Sequence, residues 1–161
     1  MQKITPHLWF DSQAEEAANF YVSIFKNSKI TAIGRYGEAG QEVTGQQPDT
    51  VMTVEFELDG QRFLALNGGP VFTFSEAVSF MVSCKDQEEV DYYWGKLSAV
   101  PESEQCGWLK DKFGLSWQVI PEALPALLGD SGSGRSGRAM AAMMKMKKID
   151  IAALEAAADA A

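Results

Sequence analysis

The chain has 161 residues, of which 46% are hydrophobic and 22% are charged, and its formal net charge is −8 at pH 7. This composition excludes a disordered chain and predicts one globular unit with a sizeable core. The acidic balance would repel phosphate backbones, so we expect no nucleic-acid partner. Two cysteines are too few for a disulfide framework, and neither a leader segment nor a long apolar run is found, so we expect a cytoplasmic protein without a membrane partner.

The first half of the chain predicts a βαβββ module. Ser12 and Glu15 have the spacing of a capping box, and alanines and aromatic residues recur after them on one helical face. Asp59-Gly60 separates two apolar runs and is typical of a hairpin turn. The predicted strands lie at residues 4–10, 30–36, 51–58 and 63–67.

The second half repeats this plan. A strand is predicted at residues 78–84, and Asp86 with Glu89 predicts a second capped helix. Residues 13–21 resemble residues 87–94 apart from one deletion, which favours a duplicated module. A weak strand is expected before Cys106.

Residues 107–121, GWLKDKFGLSWQVIP, predict a closing hairpin. Gly114 supplies the positive φ that a tight hairpin with a bulge requires. Alternation in the second arm places Ser116, Gln118 and Ile120 on one face and Leu115, Trp117 and Val119 on the other. We expect Trp117 to point towards the helices and the polar-edged face to carry function.

Helices are predicted after Pro121. Residues 129–138 contain GDSGSGRSG and predict a flexible linker, and residues 139–161 predict a helical extension with a methionine-rich stripe and an Asp150 cap. The apolar stripe of this extension is too narrow to stabilise it as an isolated helix, so it must dock on the body or on a second subunit. The body at residues 1–128 would then hold two modules, at about residues 3–70 and 77–121.

Several motifs in this order resemble the PhnB-like branch of the vicinal oxygen chelate superfamily, which includes glyoxalase I, bleomycin-resistance proteins and extradiol dioxygenases. They are TPHLWFDSQAEEAANFY, ALNGGP, EAVSFMVSC, QEEVDYYW and CGWLKDKFGLSWQVIP, and the ending KKIDIAALEAA is also similar. The resemblance implies an α+β fold of paired βαβββ modules of the glyoxalase/bleomycin-resistance type, followed by C-terminal helices. It also implies that each module curls into a half-open cup and that a homodimer encloses the ligand.

Catalytic members of the superfamily hold one divalent metal with His, Gln or Glu side chains. Carried over by resemblance, the ligand positions fall at His7, or at its neighbours Thr5 or Pro6, and at Ala65, Ser79 and Gln118. Alanine has no donor atom and serine is a weak ligand, so at most His7 and Gln118 remain. We therefore expect no metal and no other cofactor.

The expected ligand-binding residues lie on the cup face of the strands. His7 is the only histidine, and without a second ligand at metal spacing a hydrogen-bonded pocket histidine is favoured over a catalytic one. The alternative for the aromatic members is packing in the core or at a dimer seam. Lys110 would also face the cup, and the predicted ligand-binding set is His7, Trp9, Phe63, Asn67, Ser79, Met81, Trp108 and Gln118.

Single residues outside this set favour structural roles. Cys84 shares a strand face with Phe80 and Val82, which predicts a buried thiol that acts as a small hydrophobe. Glu55 and Glu57 share a strand face and could form an acid/base pair, but such spacing is common on a solvated face.

We expect a metal-free dimer that binds a small molecule of unknown identity. The alternatives are a metal-dependent lyase, isomerase or dioxygenase that uses His7, and a protein whose fold serves only association. Members of the branch often carry a demethylubiquinone methyltransferase label. No G-x-G-x-G loop links a strand to a helix here, so we expect no such activity.

Overall fold

The computed structural model describes residues 1–129 and 132–160. The chain forms two compact units, which we call unit 1, from Met1 to Thr73, and unit 2, from Phe74 onwards. The boundary falls between the two predicted modules. No helix among the described residues is long and apolar enough to cross a membrane.

Unit 1 has the predicted βαβββ order, with one extra helical turn in the loop expected at residues 37–49. Its sheet has the order β1-β4-β3-β2, in which β1 runs parallel to β4 and the other pairs are antiparallel. Its elements are β1 (His7–Phe10), α1 (Ala14–Ile24), β2 (Lys29–Arg35), α2 (Gln41–Thr44), β3 (Val51–Leu58) and β4 (Gln61–Asn67).

The hairpin between β3 and β4 forms as predicted. Asp59 has φ 49° and Gly60 has φ 78°, which are the positive values of a two-residue hairpin turn. This turn brings Phe56 opposite Phe63, whose rings stack at a centroid distance of 5.5 Å. Phe56 also stacks on Tyr21 of α1 at 6.3 Å, so this face of the sheet forms the core with the helix.

The other face of this sheet is not covered by α1. Because side chains alternate along a strand, residues next to the buried ones point away from the helix. This surface, the open face of unit 1, carries His7, Trp9, Thr53, Glu55, Glu57, Leu64 and Leu66.

The capping box predicted at Ser12 and Glu15 is wrong. The cap residue is Gln13, whose side chain makes no capping hydrogen bond. Instead, the amide oxygen of Asn67 accepts a hydrogen bond from the Ala14 N–H at 2.8 Å. The end of β4 therefore satisfies a free amide at the start of α1.

Unit 2 has a three-stranded sheet in the order β5-β7-β6. The strand expected before Cys106 is reduced to one bridge between Gln105 and Trp108, so the module is βαββ. Its elements are β5 (Ser79–Cys84), α3 (Gln87–Leu97), a 3-10 turn (Pro101–Ser103), β6 (Trp108–Lys110), β7 (Ser116–Pro121), α4 (Leu124–Gly129), α5 (Arg135–Met143) and α6 (Ile151–Asp159).

The second capping box forms as predicted. The Asp86 carboxylate accepts the Glu89 N–H at 2.9 Å, and the Glu89 carboxylate accepts the Lys85 N–H at 2.9 Å. These contacts satisfy free backbone donors at the start of α3. Helix α3 packs against β5 and β7 and covers one face of the sheet.

The closing hairpin also has its predicted faces. Gly114 has φ 87°, and Leu115, Trp117 and Val119 are buried, whereas Gln118 is half-buried on the other face. The parallel register of β5 and β7 aligns Gln118 with Met81. The hairpin therefore presents the expected polar-edged surface away from α3.

The C-terminal extension docks on its own unit. Leu124, Ile149 and Leu154 form a buried cluster. The Gln87 side-chain amide donates to the Ile149 carbonyl at 3.0 Å and accepts the Ile151 N–H at 2.9 Å, which ties the extension to α3. Of the range predicted as linker, residues 130 and 131 lie outside the described residues, and α5 begins within that range at Arg135.

Candidate functional site

The face of the β5-β7-β6 sheet opposite α3 carries the candidate site. The strand register arranges its side chains in two rows, each crossing β5, β7 and β6 in that order. We call this surface the open face of unit 2. The first row is Ser79, Ser116 and Lys110, and the second row is Met81, Gln118 and Trp108.

A cavity of about 630 Å³ lies on the second row. Its walls are mainly apolar, with amide, hydroxyl and thiol groups among them, which is the composition usual for a small-molecule pocket. The lining residues are Met81, Ser103, Gln105, Cys106, Trp108, Gln118, Ile120, Leu124, Met143 and Met144.

The C-terminal extension supplies one wall of this cavity. The backbone N–H groups of Cys106 and Gly107 donate to the carbonyls of Met146 and Lys147 at 2.9 and 2.8 Å. The Gln105 side chain donates to the Met144 carbonyl at 2.9 Å. These bonds hold the methionine segment beside the sheet, so the cavity depends on the extension.

Gly107 permits the close packing of the chain around it, because it has no side chain. Its φ is +85°, and an added Cβ would lie 2.8 Å from Ile120 Cδ1 and 3.1 Å from the Val119 carbonyl oxygen. A side chain here would be strained and would collide with the sheet. The glycine predicted only as part of the hairpin therefore also shapes the cavity.

Among the described residues, two polar side-chain contacts and one buried hydroxyl lie on the open face of unit 2. Gln118 Nε2 donates to Ser79 Oγ at 2.9 Å. Lys110 Nζ contacts Glu76 Oε1 at 2.5 Å, and this hydrogen bond lowers the pKa of the Glu76 carboxyl. Ser116 is 1% exposed, and its hydroxyl has no hydrogen-bond partner within the described part of the chain.

Unit 1 has a smaller cavity of about 250 Å³, lined by residues from both faces of its sheet. His7 lies at its edge, where Nδ1 donates to the Thr5 carbonyl at 3.0 Å. A carboxylate and a guanidinium also face this space, which makes it more polar than the cavity of unit 2. The lining residues are Thr5, His7, Thr31, Glu55, Phe56, Arg62, Phe63 and Leu64.

Trp9 is fixed beside the glycine turn that follows β4. Its indole N–H donates to the Gly69 carbonyl at 2.9 Å, and its ring meets Phe72 edge to face at 5.0 Å. An added Cβ on Gly68 would overlap the Trp9 ring. The glycines therefore position Trp9 in addition to turning the chain.

Two of the predicted site residues point the other way. Phe63 stacks on Phe56 in the core, and the Asn67 amide caps α1 while also donating to the Val51 carbonyl at 3.1 Å. Their predicted orientation towards the cup is wrong, because α1 covers this face of β4. The structure brings together Met81, Trp108 and Gln118 around the cavity of unit 2, with Ser79 bonded to Gln118.

A divalent metal does not fit the residues present. Ala65 faces α1, and the β4 positions that share a face with His7 are Leu64 and Leu66, which have no donor atoms. Ser79 and Gln118 offer a neutral hydroxyl and an amide that bond to each other. Within residues 1–129 and 132–160, no three His, Cys, Asp or Glu side chains cluster in a way that could hold a metal ion.

The two cysteines lie in different environments. Cys84 is fully buried, and burial raises the pKa of its thiol to about 12, as expected for a small core residue. Cys106 lines the cavity, with φ 51°, and its sulfur lies 3.8 Å from the Met144 sulfur.

Sequence reasoning missed Met143 and Met144 as site residues, because their helical spacing indicated only packing.

Comparisons with known proteins identify the family. A family model described as 3-demethylubiquinone-9 3-methyltransferase matches residues 2–120. The solved structure of a PhnB protein from Bacillus cereus is 39% identical, with 74% of this chain and 99% of that chain covered and a TM-score of 0.61. Protein PA1353 from Pseudomonas aeruginosa, at 18% identity, covers 76% and 98% of the two chains with a TM-score of 0.57, which supports the fold.

A search of functionally curated proteins gave no match. Both structural matches leave about a quarter of this chain uncovered, and the family model ends before the helices that follow β7. The predicted α+β class and the resemblance are confirmed. The chain therefore belongs to the PhnB-like family that is named for 3-demethylubiquinone-9 3-methyltransferase.

Proposed function

We propose that the protein binds a small amphipathic molecule in the cavity of unit 2 without a catalytic metal. The single observation that carries this proposal is the cavity itself. Its volume of about 630 Å³ falls within the range of roughly 300–1,000 Å³ usual for small-molecule pockets. Trp108 offers an aromatic wall, Gln118 an amide for orientation, and Met143 and Met144 adaptable thioethers.

The family name is a misnomer as a description of activity. A nucleotide methyl donor is usually held at a glycine-rich turn between a parallel strand and a helix. In the described residues, β1 leads into α1 through Asp11-Ser12-Gln13 and β5 into α3 through Lys85-Asp86, and neither connection contains glycine. These connections give no support to methyl transfer.

We also propose that the protein is a cytoplasmic homodimer. Val71, Phe72 and Val78 are 68%, 62% and 64% exposed, and Met81 on the open face of unit 2 is 60% exposed. A second copy that covered the exposed apolar side chains of either unit would remove them from water. The free, half-buried Cys106 fits a reducing compartment. Light scattering at micromolar concentration should give the mass of two chains, and a folded monomer would contradict the proposal.

Binding can be tested with the fluorescent probe N-phenylnaphthylamine, an uncharged aromatic molecule. We expect saturable binding to the purified protein and a loss of about tenfold or more in Trp108→Ala, since aromatic anchors dominate such contacts. Tyr92→Ala is the matched control, because Tyr92 is exposed on α3 against the opposite face of the sheet.

The control variant should bind the probe as the wild type does. Absence of saturable binding to the wild type, or equal losses in Trp108→Ala and Tyr92→Ala, would contradict the proposed site. Mass spectrometry of small molecules released from the purified protein would then identify the natural ligand of a confirmed site.

A further inference from the structure

We infer that the cavity of unit 2 takes ligands with an acidic head group, which the row Ser79, Ser116 and Lys110 receives while the apolar body lies against Trp108. This inference rests on the proposed function, because it assigns a ligand class to the same site. A carboxylate or a sulfonate has the required chemistry. The row consists of hydrogen-bond donors, and an acidic head group consists of acceptors.

Ser116 supplies the first argument. Its hydroxyl is 1% exposed and has no hydrogen-bond partner among the described residues. An unpaired buried polar group destabilises the fold, so such groups usually have a partner. Strand alternation places Ser116 on the same face as Gln118, and its register neighbours are Ser79 and Lys110. The unsatisfied hydroxyl therefore lies below the accessible surface, in the row that adjoins the cavity at Gln118.

Ser79 supplies a second donor. Its oxygen accepts the hydrogen bond from Gln118 Nε2 at 2.9 Å, which leaves its own proton to donate. Neighbouring strands lie about 4.8 Å apart, so the hydroxyls of Ser79 and Ser116 stand close enough to share one ligand group. Gln118 connects this row to the cavity, because it lines the cavity and holds Ser79.

Lys110 supplies the positive charge, and its present partner shows that a carboxylate fits there. Lys110 Nζ holds the Glu76 carboxylate at 2.5 Å, with the lysine side chain 23% exposed and the glutamate side chain 62% exposed. An ion pair with so exposed a partner is weak, because water screens it. A ligand carboxylate can therefore take the place of Glu76 at Lys110.

The spacing of residues on β6 also sets the distance between the acidic head group of the ligand and its apolar body. Lys110 and Trp108 are two residues apart on β6 and share the open face, so their side chains are separated by about 7 Å. An aromatic ring over Trp108 with an acidic substituent one ring away would reach both. Anilinonaphthalenesulfonate has this shape, and N-phenylnaphthylamine is the same molecule without the sulfonate.

These two probes form a matched pair for the test. In Lys110→Met we expect the affinity for anilinonaphthalenesulfonate to fall by about tenfold, with N-phenylnaphthylamine binding unchanged, since one charge-assisted contact is lost. Lys112→Met is the control, because it removes the same charge from the exposed turn outside the row. It should leave both affinities unchanged.

Glu76→Gln gives an independent test, because it changes an exposed side chain that should not affect folding. Removal of the competing carboxylate should raise the affinity for the sulfonate probe several-fold and leave the neutral probe unaffected. Equal losses of both probes in Lys110→Met, or no gain in Glu76→Gln, would overturn the inference while the cavity remained a binding site. If neither probe bound the wild type, the proposed function would fail, and this inference with it.

Discussion

The indole N–H of Trp117 donates a hydrogen bond to the carboxylate of Asp111 across 2.9 Å in the core of unit 2. The other oxygen of Asp111 accepts the backbone N–H groups of Phe113 and Leu115 at 2.8 and 3.1 Å. One buried carboxylate therefore joins the turn of the closing hairpin to the strand that follows it. This contact fixes the register of β6 and β7 and, with it, the spacing of the open face of unit 2.

Trp117→Ala should destabilise the protein by about 3–5 kcal/mol, as for other buried aromatic truncations. Trp117 is 3% exposed and tilts against Phe80 at 5.8 Å, so the loss is mainly one of packing. Trp117→Phe keeps a ring but removes the donor to Asp111 and should cost less, about 1–3 kcal/mol. Urea unfolding of both variants would measure these differences.

Trp108→Ala provides a comparison for the two Trp117 variants, because Trp108 lies on the opposite face of the hairpin. It should reduce probe binding with a smaller loss of stability than Trp117→Ala. If Trp117→Ala instead lost probe binding at unchanged stability, the two faces would have been assigned the wrong way round.

Gly68→Ala should destabilise unit 1 by about 1–3 kcal/mol, the usual cost of overpacking. The added methyl group would overlap the Trp9 ring, which is held in place by its hydrogen bond to the Gly69 carbonyl. Gly37→Ala is a matched control, because an added Cβ there meets no atom within 4 Å. Circular dichroism during urea unfolding would report the difference, and equal stability of the two variants would contradict the account of Trp9.

The sequence predicted the hairpins well because their turns demand special residues. Asp59-Gly60 and Gly114 both have the positive φ values that their turn types require. The face of β4 could not be predicted in the same way. Leu64 and Leu66 alternate with Phe63 and Ala65, so both faces are apolar and the period of two does not indicate which one meets α1.

The cavity was harder to predict than the sheet, because one of its walls comes from the tail. A methionine stripe at helical spacing indicates an apolar face but does not identify the surface it covers. That surface is determined by Gln105 and by the backbone of Cys106 and Gly107, which bind carbonyls of the segment after α5. Such contacts join residues about forty positions apart and leave no local pattern in the sequence.

Leu154→Ala should loosen the C-terminal extension and weaken probe binding together. Leu154 is fully buried against Leu124 and Ile149, and such truncations cost about 2–5 kcal/mol. Ala152→Ser on the exposed side of α6 is the control. Hydrogen exchange in α5 and α6, measured with probe affinity, should change only in Leu154→Ala; unchanged affinity with a loosened tail would show that Met143 and Met144 do not form a binding wall.

Alkylation by iodoacetamide should modify Cys106 and spare Cys84 in the folded protein. Only the thiolate reacts, and the pKa of the Cys84 thiol is raised from 9.0 to about 12 by burial, with the nearby Glu89 and Asp86 charges acting in the same direction. At pH 9 the Cys84 thiol therefore stays protonated in the folded protein but begins to ionise in the unfolded chain. Because the unfolded chain releases this proton more readily, the free energy of unfolding falls as the pH rises from 9 towards 12.

Mass spectrometry should find one label per folded chain at pH 9 and two in urea. Cys106→Ser should remove the label of the folded state. A label on Cys84 in the folded protein would contradict the burial of β5 against α3.

Protein purified without a chelator should contain no stoichiometric divalent metal. An ion prefers at least three protein ligands, whereas the β4 positions beside His7 are leucines and Ser79 and Gln118 are weak neutral donors. Elemental analysis followed by titration with zinc, nickel, manganese and iron(II) would test this expectation. His7→Ala distinguishes a site from surface binding: stoichiometric metal in the wild type that disappears in this variant would overturn the metal-free proposal and favour a metal-dependent lyase, isomerase or dioxygenase.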